Sequence, residues 1–378
     1  MTAQATTDDS VSTLYSTDLA GVIVGDTAIS DVQGEQGVLS YRGYAIGDLV
    51  GKRFLQVVWL VLFGDWPTAQ QEAQLRDTMA THSQLDEQEL DLLARLPRSL
   101  HPMLMLQGMV PLLKLTPQKR IDGVSVAAES GLLLAAKLPS LLAAWRQLEL
   151  GKTPIASNTD AGFHENFLLM FNGQAPTLQQ VQTLDVTQIL QMEHSFNAST
   201  FASRVCASTL APIQSCISAA IGTLYGALHG GADQAAMEMA RTIGDPAKAA
   251  EWVADKIANK QKIMGMGHRE YRVVDPRARI LKPMAIELCR DGEAKRLLDV
   301  LVAVEAACAE EFRKKGKEIW ANVEFYKGAV FHQLGIPPHY YTSVFAMARI
   351  YGYIAHFLEF SQHSALIRPR ARYIGAKH

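Results

Sequence analysis

Cysteine is scarce in this sequence: Cys206, Cys216, Cys289 and Cys308 are the only four in 378 residues. No two form a CxxC pair, and all lie in apolar or Ala-rich stretches. That excludes a disulfide-built scaffold and predicts reduced core thiols in a reducing compartment. Basic residues are missing from the start of the chain, where Arg42 is the first. Neither the charged head of a secretory signal nor an Arg-rich transit peptide is present, so a cytoplasmic location is expected. Ser, Thr and Asp dominate residues 1–16, which are expected to be disordered. Long apolar runs are lacking too. The longest, Gly131 to Trp145, is broken by Lys137 and Pro139 and is too short to span a bilayer, so no membrane partner is expected. A net charge of -2 gives no electrostatic reason to expect nucleic acid either.

What is present reads as helix. The length suggests two or three domains, and 48% hydrophobic residues fit an ordinary globular core. Thr68 with Gln71 forms a capping-box pattern just after Pro67, and Leu75 and Met79 follow at helical spacing. Thr177 with Gln180 is a second box, predicting a helix to about His194. Ala247–Lys260 and Pro283–Lys314 are rich in Ala, Glu, Leu and Lys and predict two more. One strand pair stands out: Gly21–Asp31 and Val38–Arg42 flank Gly34-Glu35-Gln36-Gly37, a hairpin turn. With no repeat and no low-complexity tract, the fold class is all-α with one small N-terminal hairpin. The stretch Ala211–Leu228 carries Ala219, Ala220, Gly222, Gly226 and Ala227. Small residues in a helix allow close approach of another helix, within one subunit or across a subunit interface, and both uses are open.

Eleven histidines are spread along the chain. His82, His101, His339, His363 and His378 sit in polar or terminal contexts, and His164, His332 and His356 read as structural. Three differ. His194 precedes Ser195-Phe196-Asn197-Ala198-Ser199-Thr200, a run of small polar residues. His229 stands before Gly230-Gly231, and His268 follows Met264-Gly265-Met266-Gly267. Glycine beside an imidazole leaves room for close approach of a ligand or backbone. Spacings of 35 and 39 residues, without a short pair, disfavour a metal. No GxSxG, GxxxxGK[ST] or strand-following GxGxxG is present, which argues against nucleophile-elbow and phosphate-loop chemistry. Arg269, Arg272 and Arg277 follow His268, with Arg349, Arg368 and Arg370 further on. Arginine's planar fork suits carboxylates and phosphates, so the set points to an anionic substrate with several carboxylates.

At these residues the chain resembles the citrate synthase family. The resemblance runs from about Leu19 to Gly375. It rests on SYRGY at Ser40–Tyr44, EHSFNASTF at Glu193–Phe201, LHGGA at Leu228–Ala232, KIMGMGHR at Lys262–Arg269, DPR at Asp275–Arg277, NVEFY at Asn322–Tyr326 and IRPR at Ile367–Arg370. It is similar to the short bacterial type. The resemblance implies a homodimer with a large domain (1–226 and 336–378) and a smaller inserted domain (227–335) that closes over the substrates. The small-residue helix would then lie in the dimer interface. The implied reaction condenses acetyl-CoA with oxaloacetate to citrate, or propionyl-CoA to 2-methylcitrate. The CoA thioester is a substrate, and no cofactor is implied.

The resemblance also implies roles. Glu324 is the base that takes the acyl-CoA methyl proton, His229 hydrogen-bonds the thioester oxygen, and His268 polarises the oxaloacetate ketone. His194, Arg277 and Arg349 hold oxaloacetate, with Arg368 reaching in from a second subunit, and Arg272 contacts CoA phosphate. Three positions depart from the family pattern: Gln191 where many members have histidine, Asp233 where asparagine is usual, and Glu324 in place of the catalytic aspartate. The first function of another class is a catalytically weak relative that binds CoA or oxaloacetate as a sensor.

Overall fold

The computed structural model describes residues 4–8, 11–16, 18–19, 21–362 and 365–376. His363 and His378 lie outside them. The first elements are strands. β1 (Gln4–Asp8) and β2 (Val11–Tyr15) pair antiparallel. This corrects the expectation of disorder for residues 4–8 and 11–15, whereas residues 1–3, 9 and 10 lie outside the described ones. β3 (Ser30–Gln33) and β4 (Val38–Tyr41) form the expected hairpin, and β5 (Tyr44–Ala45) adds to β4. The strand predicted over Gly21–Asp31 is mostly absent, because ladder partners exist only from Ser30 onward.

Sixteen α-helices follow among the described residues. They are α1 (Ile46–Leu49), α2 (Phe54–Phe63), α3 (Ala69–Thr81), α4 (Glu87–Arg95), α5 (Pro102–Met109), α6 (Val126–Glu149), α7 (Phe163–Asn172) and α8 (Leu178–Gln191). The rest are α9 (Ala198–Ala207), α10 (Ile213–Leu224), α11 (Ala232–Ile243), α12 (Ala249–Ala258), α13 (Pro276–Leu288), α14 (Gly292–Lys314), α15 (Val323–Gln333) and α16 (Tyr341–Ser361). The all-α reading holds. Both capping boxes form: Gln71 N–H donates to Thr68 Oγ1 and Gln180 N–H to Thr177 Oγ1, each at 3.2 Å. The single helix predicted over Pro283–Lys314 is two. Asp291 is extended and Gly292 adopts φ 68, so the chain turns between α13 and α14. The Ala247–Lys260 pattern yields a 3-10 turn at Pro246–Lys248 and then α12.

Helix α6 is the axis of the larger helical cluster. It contains the Gly131–Trp145 run within 24 residues that, by length and composition alone, are long and apolar enough to cross a membrane. Its apolar window is 83% buried inside the protein, so its hydrophobicity is spent on the core. Helices α3, α5, α7, α10 and α16 pack on it, and α16 also meets α2, α8 and α9. Helices α11 to α15 pack chiefly on one another, with α15 central among α11, α13 and α14. The two clusters meet where α13 touches α8 and α11 touches α16. In α10, shorter than the predicted Ala211–Leu228, Gly222 serves packing within the chain. A Cβ there would lie 2.4 Å from Gln107 Nε2 of α5.

Candidate active site

The site forms where loops of both clusters converge. The turn after α8 carries Glu193, His194 and Ser195. Glu193 has no exposed surface and accepts hydrogen bonds from Ser30 Oγ and His356 Nε2, both at 3.0 Å. Burial pushes its carboxyl up, but His356 and Arg349 hold it below the usual range. The carboxylate fits because α16 carries Gly352 beside it, where a Cβ would lie 2.3 Å from Glu193 Oε2. Ser195 adopts φ 52, uncommon for a residue with a Cβ, and its N–H donates to Ser30 Oγ at 3.0 Å. This anchored turn places His194, 8% exposed, with Nε2 3.1 Å from Tyr271 Oη.

His268 follows two glycines in the left-handed region, Gly265 (φ 78) and Gly267 (φ 81). A Cβ at Gly265 would lie 2.6 Å from the Phe325 ring, so only glycine lets this loop lie against α15. The loop is tied to α15 by Asn322: its N–H donates to Gly265 O and its Nδ2 to Gly267 O, both at 2.9 Å. His268 Nδ1 accepts from the Glu270 and Tyr271 N–H groups at 3.0 and 3.3 Å. Two donors at Nδ1 assign the imidazole proton to Nε2. That Nε2 lies 3.3 Å from Arg277 Nη2, itself a donor. Two donors therefore face one small space, which suits an incoming oxygen.

Arg277 is held by Asp275 through Nε at 3.0 Å and Nη2 at 2.8 Å. Asp275 also caps α13 by accepting the Arg277 N–H at 2.9 Å, and accepts the Val323 N–H of α15 at 3.2 Å. One carboxylate thus locks the Arg277 guanidinium and the first turns of two helices. Burial pushes Asp275 up, yet the Arg277 guanidinium holds it below its usual range.

His229 occupies the turn between α10 and α11. Gly230 beside it has no room for a side chain, since a Cβ would lie 2.3 Å from Leu224 O. His229 Nε2 accepts from the Ser199 N–H at 3.3 Å and lies 2.7 Å from Ser199 Oγ, at the start of α9. The proton of a neutral ring then sits on Nδ1. Tyr353 Oη donates to Ser199 Oγ at 2.8 Å. Burial lowers both His229 and His268 to about 4, reinforced by repulsion from Arg349 at His229 and from Arg277 at His268. Burial and the neighbouring arginines also press His194 well below its ordinary value. All three rings are neutral donors at pH 7.

Glu324 stands in the first turn of α15, where its N–H donates to Asn322 Oδ1 at 3.1 Å. Its charge acts on His229, His268 and Arg277, which places it at the same centre. Arg349 of α16 is 2% exposed, and its Nε donates to Gln191 O at 2.7 Å. Among the described residues no carboxylate forms an ion pair with it.

Six predicted residues therefore converge: His194, His229, His268, Arg277, Glu324 and Arg349. Two do not. Arg272 is exposed; its N–H donates to Gly34 O at 3.0 Å and its Nε lies 3.9 Å from Glu35. Arg368 lies in the exposed C-terminal tail, and no hydrogen bond among the described residues ties it to the centre. Sequence reasoning gave no role to Tyr271, nor to Ser199 and Asp275, which it quoted only within motifs. Of these, Asp275 carried a signal, an N-cap residue directly before a proline. It also missed why the hairpin turn needs glycine. A Cβ at Gly34 would lie 2.2 Å from Glu270 O, so the turn presses directly on the loop that bears Tyr271.

Comparisons with known proteins identify the family. A sequence model described as the C-terminal domain of citrate synthase matches residues 18–370. The chain is 37% identical over 362 residues to the 2-methylcitrate synthase of Shewanella oneidensis, covering 94% of each. It is 34% identical over 361 residues to the citrate synthase of Deinococcus radiodurans, covering 95% of each. Among solved structures, it is similar to the citrate synthase of Thermoplasma acidophilum in ternary complex with carboxymethyl coenzyme A and oxaloacetate. The TM-score is 0.86 at 28% identity, over 95% of both chains. With the match spanning nearly the whole chain, the protein belongs to the citrate synthase family of condensing enzymes.

Proposed function

We propose that this chain condenses acetyl-CoA with oxaloacetate and water to citrate and CoA. The observation that carries the reading is Arg349. It is a buried cation with no carboxylate at ion-pair distance among the described residues, and its charge acts on the His194 and His229 rings and on the buried Glu193. Glu193 is already engaged by Ser30 and His356, so a dicarboxylate substrate supplies the direct partner that the guanidinium lacks. The archaeal relative holds oxaloacetate in its complex.

The chemistry follows from the groups present. Methyl protons of a thioester are weakly acidic, so removal needs a base and a donor at the developing enolate oxygen together. Glu324 takes the proton, and His229 Nδ1–H donates to the thioester oxygen. His268 Nε2–H polarises the ketone and protonates the alkoxide that forms when the enolate carbon attacks it. His194, Arg277 and Arg349 hold the carboxylates. Water then cleaves the citryl thioester and releases CoA. No metal or resident cofactor is required by these steps.

The proposal extends to assembly. Residues 227–335 form the closing domain and 1–226 with 336–378 the larger one. Closure excludes water until the new bond is made. Two copies form a homodimer through α10, with Arg368 of each tail completing the other's site and Arg272 meeting CoA phosphate. The location is cytoplasmic. A second reading, 2-methylcitrate synthesis from propionyl-CoA, draws support from the Shewanella relative. One methylene in an apolar pocket discriminates by about 1–3 kcal/mol, so the two activities differ in degree. Steady-state assays with both thioesters side by side, following free thiol, test the reading. A higher kcat/KM for acetyl-CoA is expected, the reverse assigns the second reading, and no thiol release with either thioester would refute both.

A further inference from the structure

The three positions that depart from the family pattern meet at one side chain. Lys327 lies one helical turn after Glu324 on α15, and its side chain has no exposed surface. Its Nζ is 3.1 Å from Asp233 Oδ2 on α11, 3.3 Å from Gln191 Oε1 at the end of α8, and ion-paired with Glu324 Oε2. The Phe345 ring of α16 lies 4.2 Å from the ammonium. Close approach of α15 to α11 makes this possible. At Gly328 a Cβ would lie 2.3 Å from Met237 Cγ and 3.2 Å from Asp233 O. A buried ammonium needs partners, and here every departure from the pattern supplies one.

We propose that Lys327 is the positioning residue of the base, anchoring one oxygen of the Glu324 carboxylate while Asp233 and Gln191 hold the ammonium in place. The inference rests on the reading of Glu324 as base. Glu324 Oε2 is buried against Lys327, while the side chain as a whole keeps 16% of its surface. One oxygen is committed to the ammonium, and the other is left for the substrate proton. The longer arm of glutamate is thereby drawn back along α15 toward α11. Asp233 is more deeply buried than Glu324, with no exposed surface. Burial pushes it up to about 6, against the pull of Lys327. The other charged or titratable groups facing Glu324 are His229, His268 and Arg277. On α14, Glu305 is engaged by Lys282 and Tyr326 instead.

The test compares Lys327→Met, the double variant Lys327→Met/Asp233→Asn, and Glu324→Gln with the parent. The readouts are the pH profile of kcat, KM for oxaloacetate, thermal unfolding, and exchange of acyl-CoA methyl protons with deuterated water beside a non-reacting oxaloacetate analogue. Misplacing a catalytic group by about 1 Å costs roughly a hundredfold, so kcat of Lys327→Met falls on that order with KM for oxaloacetate little changed. Loss of the cation leaves two carboxylates facing each other, and the acid limb of kcat moves up by roughly 1–3 pH units. In the double variant the limb returns part of the way. A role in packing alone would leave the limb where it is. A folded Lys327→Met with the parent's limb overturns the proposal, provided Glu324→Gln loses exchange. If Glu324→Gln exchanges as fast as the parent, the base reading itself has failed, and Lys327 falls with it. Should Lys327→Met not fold, the double variant decides by the same criterion.

Discussion

Asp275→Asn is the sharpest perturbation of the site's scaffold, because one carboxylate performs three tasks. It neutralises Arg277, caps α13 and accepts the Val323 N–H of α15. Asp275 is 1% exposed and Arg277 4%. Asparagine keeps the size and one acceptor but leaves the guanidinium buried without its charge partner. Breaking a buried pair from one side costs about 3–5 kcal/mol. At about 2.1 cal/mol/K per residue, 378 residues give an unfolding entropy near 0.8 kcal/mol/K, so the loss lowers Tm by roughly 4–6 °C. The sign with pH follows from the carboxyl being held below its usual range. Its stabilisation is present above the ordinary carboxylate pKa of about 4 and is lost as pH falls below it, so the gap between parent and variant closes there. Oxaloacetate would supply the missing anion to Arg277. Differential scanning calorimetry at pH 7, with and without saturating oxaloacetate, should therefore show a larger ligand-induced Tm gain in the variant. A Tm within 1 °C of the parent, or equal ligand gains, would refute the assignment of Arg277 as a buried cation that needs an anion.

Ser199→Ala removes the hydroxyl 2.7 Å from His229 Nε2 and its link to Tyr353. One orienting hydrogen bond is worth about 0.5–1.5 kcal/mol, so kcat should fall roughly 2- to 12-fold, and an unchanged kcat would remove Ser199 from that role. Because His229 and His268 are lowered to about 4, the kcat/KM profile for oxaloacetate should show no imidazole limb near pH 6.5. A limb there that vanished in His268→Gln would contradict the neutral-donor assignment. Mixing Arg368→Ala subunits with His268→Ala subunits should restore part of the activity that each lacks alone. Absence of any restoration in a verified hybrid would refute the shared site.

The hairpin turn, both capping boxes and the Gly-flanked histidines were legible because each is a local rule: a cap needs a residue three positions on, and a left-handed φ needs glycine. His229 and His268 were picked out by glycines, and the structure gives those glycines a steric reason at Gly230 and Gly265. What failed locally was register and length. The Pro283–Lys314 pattern is helical throughout by propensity, yet a left-handed Gly292 splits it. The strand read into Gly21–Asp31 had the composition of a strand, but composition cannot show that residues 21–29 find no ladder partner. Ser199, Tyr271 and Lys327 were invisible for a different reason. Ser199 and Tyr271 meet partners 30 and 77 residues away, and Lys327, although one turn from Glu324, owes its burial to Asp233 and Gln191 on other helices; a single sequence does not display such pairings.

The division of charge between the two helical clusters explains why the site is built on their seam. The cluster around α6 contributes His194 and Arg349, whose positions are fixed by the turn after α8 and by α16. The cluster around α15 contributes His229, His268, Arg277 and Glu324. Arg277 is paired within its own cluster with Asp275, whereas Arg349 has no carboxylate at ion-pair distance among the described residues: its Nε donates to a backbone carbonyl, the Phe345 ring lies 4.7 Å from its guanidinium carbon, and the buried Glu193 that it acts on is engaged by Ser30 and His356. An anion entering the seam is therefore drawn toward the arginine that lacks a direct partner while its remaining oxygens meet the donors of the other. Both imidazoles are kept neutral by burial and by those same arginines, so a dicarboxylate meets hydrogen-bond donors on one wall and a fixed cation on the other. Binding energy gained across the seam is available only when the two walls are close. Under the proposed function, this couples recognition of oxaloacetate to the approach of His229 and Glu324, the groups proposed to act on the thioester.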